Sequence, residues 1–360
     1  MNPTQQLHDL GQSLWLDNIT RGILTNGTLR RYIGDFSVTG LTSNPSIFDL
    51  AIKNSDFYDD AIRQKTKEGK AGEKLFFELA IEDLTQAADL FRPTYEATAG
   101  IDGWVSLEVS PLLAYDAAST VKAAVALRAQ AHRHNVFIKI PGTNEGLAAI
   151  EDAIFAGVPV NVTLLFSSGQ YNAAAEAYLR GIERRIAAGL DPTVRSVASM
   201  FISRWDKAVM GKVPEELQDH LGIAIAQRTY KAYRDQLASP RWVKALKAGA
   251  QPQRLLWAST GTKDPKASDV LYIEALAAPD TINTIPEKTL LAFADHGKLG
   301  GVMPVNGGDS EKVIAEFAKA GIDDRKLAVD LQREGADDFV ASWKDLLACI
   351  QAKTATLKAA

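Results

Sequence analysis

The chain predicts an α/β protein of the (β/α)8 TIM-barrel class, with additional helices and a helical C-terminal extension, on three observations. Eight short runs suited to buried strands alternate with longer helical stretches. Two of these runs repeat at about the length of one βα unit. Four of them aim polar residues to the face opposite their aliphatic residues at comparable strand ends, where barrels of this class keep their functional groups.

The strand candidates are SLWLD at 13–17, SVTGLT at 37–42, WVSLEV at 104–109, VFIKI at 136–140 and VNVTLLF at 160–166, then RSVASMF at 195–201, RLLWAS at 254–259 and DTINTI at 280–285. Between the third and fourth, residues 112–131 read as a helix in which Leu113, Ala117, Val121, Ala124 and Val125 form one apolar stripe, with Pro111 before the first turn. A helical crossover makes its flanking strands parallel. The step from Glu108 to Lys139 is 31 residues, one βα repeat. The intervals 43–103 and 202–253 hold further helix-like segments, and 309–350 reads as helices with Phe339, Trp343, Leu346, Leu347 and Ile350 on one face. No linker or like-charge block divides the chain, so residues 1–360 are expected to form a single barrel domain, with 297–360 as a helical extension packed on it.

Composition bounds the function. Of 360 residues 46% are hydrophobic and 23% charged, enough for a sizeable core. Forty basic against 44 acidic side chains leave a net charge of −4, so no sequence-wide positive field draws nucleic acid or an anionic membrane. The lone cysteine, Cys349, excludes an internal disulfide and thiolate metal clusters and suits a reducing compartment. The first twenty residues lack the basic and apolar regions of a signal peptide, and no stretch reaches roughly 18 uninterrupted apolar residues, so a soluble, cytoplasmic protein is expected. The sequons at Asn18, Asn26 and Asn161 are then chance matches. His132 and His134 suit a helix C-terminus, while His8, His220 and His296 are far apart, and phosphate-binding glycine loops are absent; neither metal nor cofactor is expected. The glycines of 297–308 read as a surface loop. The assembly stays open, a homodimer included.

Strand alternation locates the chemistry. In VFIKI, Val136, Ile138 and Ile140 face one side and Phe137 and Lys139 the other. The surrounding helices need the aliphatic side, which sends Lys139 into the barrel near its C-terminal end. By the same parity Leu14 and Leu16 oppose Asp17, Val105, Leu107 and Val109 oppose Glu108, and Val162 and Leu164 oppose Asn161 and Thr163. Any one of these positions has a structural explanation, but a desolvated polar group without a partner costs about 1–3 kcal/mol, so four converging strands favour function. An interior lysine can attack a ketone as an amine if its pKa, roughly 10.4 when free, is brought near neutrality, and desolvation against Phe137 contributes to that. Loss of water from the adduct needs an acid/base, for which Glu108 is placed; Asp17 is a second carboxylate for a different proton.

These residues resemble the transaldolase family, specifically its longer bacterial branch. The matching segments are LWLDNITRG at 14–22, GLTSNPSIF at 40–48, WVSLEVSP at 104–111, FIKIPGTNEG at 137–146, NVTLLFS at 161–167, SVASMFISRWD at 196–206 and WASTGTKDP at 257–265. The resemblance spans about residues 12–296 and implies a barrel that moves a dihydroxyacetone unit from a ketose phosphate to an aldose phosphate without a cofactor. It implies Lys139 as the Schiff-base lysine, Glu108 as its acid/base and Asp17 as the proton-abstracting aspartate, with Thr163 helping Glu108 hold the catalytic water. It also implies that Asn44, Asn161 and Ser199 bind dihydroxyacetone hydroxyls beside Phe201, and that Arg204 grips the phosphate. Where many members carry a second phosphate-binding arginine this sequence has STGTKDP, making Lys263 the substitute; a lysine keeps the charge and loses the bidentate fork. Related small aldolases carry glutamine and tyrosine where Glu108 and Phe201 stand, so the transferase pattern is the one present. A non-catalytic sugar-phosphate-binding barrel would tolerate loss of the acid/base set, and none is lost.

Overall fold

The computed structural model describes residues 2–359. Eight strands, β1 (Ser13–Asp17), β2 (Val38–Thr42), β3 (Trp104–Glu108), β4 (Val136–Pro141), β5 (Val160–Leu165), β6 (Ser196–Phe201), β7 (Gln253–Ala258) and β8 (Thr281–Ile285), form one closed barrel in sequence order. Every neighbouring pair is parallel, and β8 closes on β1. Helices follow each strand, because a parallel neighbour can be reached only by a crossover. The extra helices fall where the long intervals placed them: Pro45–Lys53, Asp59–Lys67 and Gly72–Ala97 after β2, and Ser203–Val209, Leu221–Leu237 and Pro240–Lys247 after β6.

Several crossovers begin on side-chain caps just past the strand ends. Asn44, Thr143 and Ser167 each accept a backbone N–H of the first helical turn, and Ser167 with Gln170 completes a capping box. These caps fix the chain's exit from β2, β4 and β5 at the C-terminal mouth of the barrel.

The barrel interior is aromatic below and polar above. Trp104 of β3 and Phe137 of β4 stack at 4.0 Å, and Trp15 of β1 lies 6.3 Å from Phe137. The Trp15 indole N–H donates to Asp102 at 2.7 Å. Gly40 makes room for this layer: a Cβ there would stand 2.6 Å from Trp15 Cε2 and 2.7 Å from the Trp104 carbonyl oxygen. Two residues further along each strand, on the same face, come Asp17, Ser106 and Lys139, and then Glu108.

After β8 the chain continues through Glu287–His296, the mostly exposed loop of 297–309, Ser310–Lys319 and a long C-terminal helix, Asp324–Ala359. Phe339, Trp343, Leu346 and Ile350 of that helix are buried, and Trp343 packs edge-on to Phe76 at 5.0 Å. Among the described residues no helix is long and apolar enough to cross a membrane.

Two local expectations are corrected. The helix read over 112–131 is a 3-10 turn, Pro111–Leu113, followed by Ala117–Ala131, because the Asp116 carboxylate caps Ser119 N–H at 3.0 Å and restarts the helix. Its buried face is Thr120, Ala124, Leu127 and Ala131, and Val125 is 42% exposed. The alternation of β5 also stops at Thr163: Leu164 takes φ 60° at a register shift, and its side chain reaches Gly335 of the C-terminal helix.

Candidate active site

Three adjacent strands set three polar residues side by side, the ladder pairing Glu108 with Lys139 and Lys139 with Asn161. Lys139 is 6% exposed and Glu108 4%. Lys139 Nζ donates to the Ser43 carbonyl at 3.0 Å and stands 3.5 Å from Glu108 Oε2. Asn161 donates from Nδ2 to Ser106 Oγ at 3.1 Å and accepts from Ser199 Oγ at 2.7 Å, so its amide is held by side chains on either flank. Thr163 lies two residues further up β5, opposite Pro141. Its hydroxyl and both Glu108 oxygens are buried with no hydrogen-bond partner among the described residues. Buried polar groups are normally satisfied, so this pair is shaped for a partner other than the chain itself.

Asp17, at the end of β1, accepts from Thr42 Oγ1 at 2.8 Å, and Thr42 in turn shares a 2.6 Å contact with the Thr284 hydroxyl. Burial pushes the Asp17 carboxyl above its ordinary 3.8, against the pull of Lys139, the Thr42 hydrogen bond and Lys263. Burial likewise raises Glu108 above 4.5; Lys139 pulls it down and the neighbouring Asp17 charge pushes it further up. Both carboxyls are thus shifted toward holding a proton nearer neutrality, the condition for general acid/base work.

A cavity of about 270 Å³ opens at this end of the barrel. It brings together eight of the residues singled out from the sequence: Asp17, Asn44, Lys139, Thr163, Ser199, Phe201, Arg204 and Lys263. Glu108 and Asn161 stand behind its wall, in contact with Lys139 and Ser199. Phe201 packs on Phe166 at 5.3 Å, and the Arg204 guanidinium carbon lies 5.7 Å from the Phe201 ring centre. Asn44 has a second task, since its Oδ1 caps Ile47 N–H at 3.1 Å and holds the helix after β2. Lys263 is exposed at the rim and makes no ion pair among the described residues. Its pKa is lowered by partial burial and by repulsion from Lys207 and Arg204, so that side of the mouth concentrates positive charge.

Other contributors escaped the sequence reading. The Ser43 carbonyl that holds Lys139 is a backbone group, which leaves no trace in residue identity. Ser106 shares the Glu108 face by alternation and was available to the parity argument. Phe339, which also lines the cavity, comes from the C-terminal helix, far from any strand motif.

Comparison with known proteins places the chain among relatives of one name. The family described as transaldolase/fructose-6-phosphate aldolase matches residues 14–350, a span that takes in most of the C-terminal helix. A protein named transaldolase from Arthrobacter sp. (strain FB24) is 42% identical over 99% of this chain and 99% of its own length. Proteins of the same name from Thiobacillus denitrificans, 42% identical over 97% of this chain and 100% of its own length, and from Thermobifida fusca, 43% identical over 96% of each, are similarly alike. With the barrel closed, the polar residues gathered at its mouth and the match running nearly end to end, the chain belongs to the transaldolase/fructose-6-phosphate aldolase family.

Proposed function

We propose that the protein is a transaldolase of the pentose phosphate pathway: it converts sedoheptulose 7-phosphate and glyceraldehyde 3-phosphate to erythrose 4-phosphate and fructose 6-phosphate through a lysine Schiff base, with no cofactor. The observation that carries this reading is Lys139, buried in the barrel, 3.5 Å from a carboxylate with no hydrogen-bond partner among the described residues, and opening on a cavity shared with Asp17.

In this mechanism Lys139 Nζ attacks C2 of the ketose phosphate to give a carbinolamine. Glu108, through a water held with Thr163, donates the proton with which the C2 oxygen leaves as water, and the imine forms. Asp17 takes the C4 hydroxyl proton, the C3–C4 bond breaks, and its electron pair moves into the imine to leave an enamine on Lys139. The aldose phosphate departs, and the enamine carbon adds to the aldehyde of the incoming acceptor as Asp17 returns the proton. Reversal of imine formation releases the new ketose. Asn44, Asn161 and Ser199 hold the dihydroxyacetone hydroxyls against Phe201, while Arg204 and Lys263 hold the phosphate and so orient the reacting carbonyl. The same reading takes residues 1–360 as one barrel domain with 297–360 as its extension, acting on sugar phosphates in the cytoplasm.

Borohydride treatment in the presence of fructose 6-phosphate, followed by peptide mass spectrometry, tests it. A three-carbon addition on Lys139, absent from Lys139→Ala together with activity, is expected; turnover by Lys139→Ala would overturn the covalent scheme. The family also includes fructose-6-phosphate aldolases, which release free dihydroxyacetone. Cleavage of fructose 6-phosphate should require added erythrose 4-phosphate as acceptor, and acceptor-independent release of dihydroxyacetone would assign the lyase reaction instead.

A further inference from the structure

The C-terminal helix reaches the cavity rim along one face. Gln332 Nε2 donates to the carbonyls of Gly142 at 3.0 Å and Leu164 at 2.9 Å, bridging the ends of β4 and β5. One turn on, Gly335 lets the helix backbone come close: a Cβ there would stand 3.0 Å from Leu164 Cδ2 and 3.6 Å from Arg204 Nη1. On the following turn Asp338 Oδ2 accepts from Arg204 Nη1 at 2.8 Å, and Phe339 lines the cavity. Spacings of three and four residues put these groups on one helix face, turned toward the mouth of the barrel.

We propose that Asp338 is a specificity-determining residue that competes with the substrate phosphate for Arg204. This rests on the reading of Arg204 as the phosphate-gripping residue. The guanidinium has five donors, and among the described residues only Nη1 is hydrogen-bonded. A sugar phosphate brings roughly 1.5–2 negative charges at neutral pH, and must share this guanidinium with a carboxylate already on it. The Asp338 side chain is 65% exposed and that of Arg204 24%, so the pair is solvated enough to be exchanged. Lys263 makes no ion pair among the described residues, so there the phosphate meets a cation that no carboxylate touches. Asp338 thereby weakens the hold on phosphate and lets one phosphorylated sugar leave before the next arrives, acting through Arg204 and not on the reacting carbons.

The test is Asp338→Asn, which keeps a hydrogen-bond acceptor for Nη1 and removes only the charge. Calorimetry with inorganic phosphate should show binding tightened roughly two- to tenfold, as a nearby charge screened by water and salt allows. KM for fructose 6-phosphate and erythrose 4-phosphate should fall by a similar factor, while KM for unphosphorylated glyceraldehyde stays unchanged, and the effect should shrink as salt is added. Asp337→Asn alters net charge equally on the exposed neighbouring position, without an Arg204 contact, and should leave phosphate binding at the wild-type level. Phosphate binding that is equal or weaker in Asp338→Asn, or tightened as much by Asp337→Asn, overturns the proposal. Absence of dihydroxyacetone transfer by the wild-type protein would refute the functional reading instead, and the calorimetry would still decide Asp338.

Discussion

Replacing Lys139 by methionine should leave a protein whose stability falls with rising pH more steeply than the wild type's. Glu108 is 4% exposed, and its carboxyl is already raised above 4.5 by burial, with Lys139 the largest influence pulling it down. In the wild type Lys139 pulls the Glu108 carboxyl down against its burial, which limits how far above 4.5 the folded state holds its proton. In Lys139→Met that pull is gone, so the folded state holds the Glu108 proton further above the unfolded value of about 4.5 than the wild type does. A carboxyl raised in this way stabilises fully below its unfolded pKa, and that stability is lost as pH rises toward the folded pKa. From pH 5 to pH 6 the variant should therefore lose more stability than the wild type through Glu108, by at most about 1.2 kcal/mol, the full linkage integral for one carboxyl of unfolded pKa 4.5. Asp17, which also loses the pull of Lys139, adds to the slope in the same direction. Urea melts at pH 5.0, 5.5 and 6.0 measure it directly. Parallel curves for the two proteins would refute the claim that the lysine and glutamate share one desolvated site.

Glu108→Gln and Asp17→Asn should keep the circular dichroism spectrum and lose kcat by roughly 10²–10⁴-fold, the usual worth of one general acid/base; wild-type rates would remove either from the mechanism. Asp206, buried and bonded to the N–H groups of Leu221 and Gly222 and to the Tyr272 hydroxyl, is raised by burial from 3.8 to about 6. Its stabilising contribution is complete below pH 3.8 and declines through about pH 6, by about 3 kcal/mol in all, so Asp206→Asn should flatten the pH dependence of the urea midpoint over that window. Gly40→Ala, whose Cβ would meet Trp15 at 2.6 Å, should cost about 1–3 kcal/mol of unfolding free energy by overpacking the aromatic floor, and an unchanged urea midpoint would contradict that packing.

What could be read in the sequence follows from how each feature is encoded. The eight strands were legible because each is a short apolar run between helical stretches, and no observed end differs from the expected one by more than one residue. The inward direction of Lys139, Glu108, Asp17, Asn161 and Thr163 was legible because alternation is a local rule, and it holds until Leu164, where positive φ and a register shift break it. The break between Pro111 and Ala117 was missed because an apolar spacing can continue across a turn that Asp116 has already capped. That Asn44 both lines the cavity and caps the helix after β2 was missed because an asparagine suits either position.

By itself, then, the sequence determined the barrel, the strand faces and the resemblance that names a role for each inward polar group, since periodicity and motif are properties of neighbouring residues. Only the tertiary structure decided which groups touch. It placed the Ser43 carbonyl under Lys139, left the side-chain oxygens of Glu108 and Thr163 with no hydrogen-bond partner among the described residues, and carried Asp338 and Phe339 across the chain to Arg204 and Phe201. Arg204 and Asp338 are separated by 134 residues, and no local rule registers a contact made by closing a loop of that length.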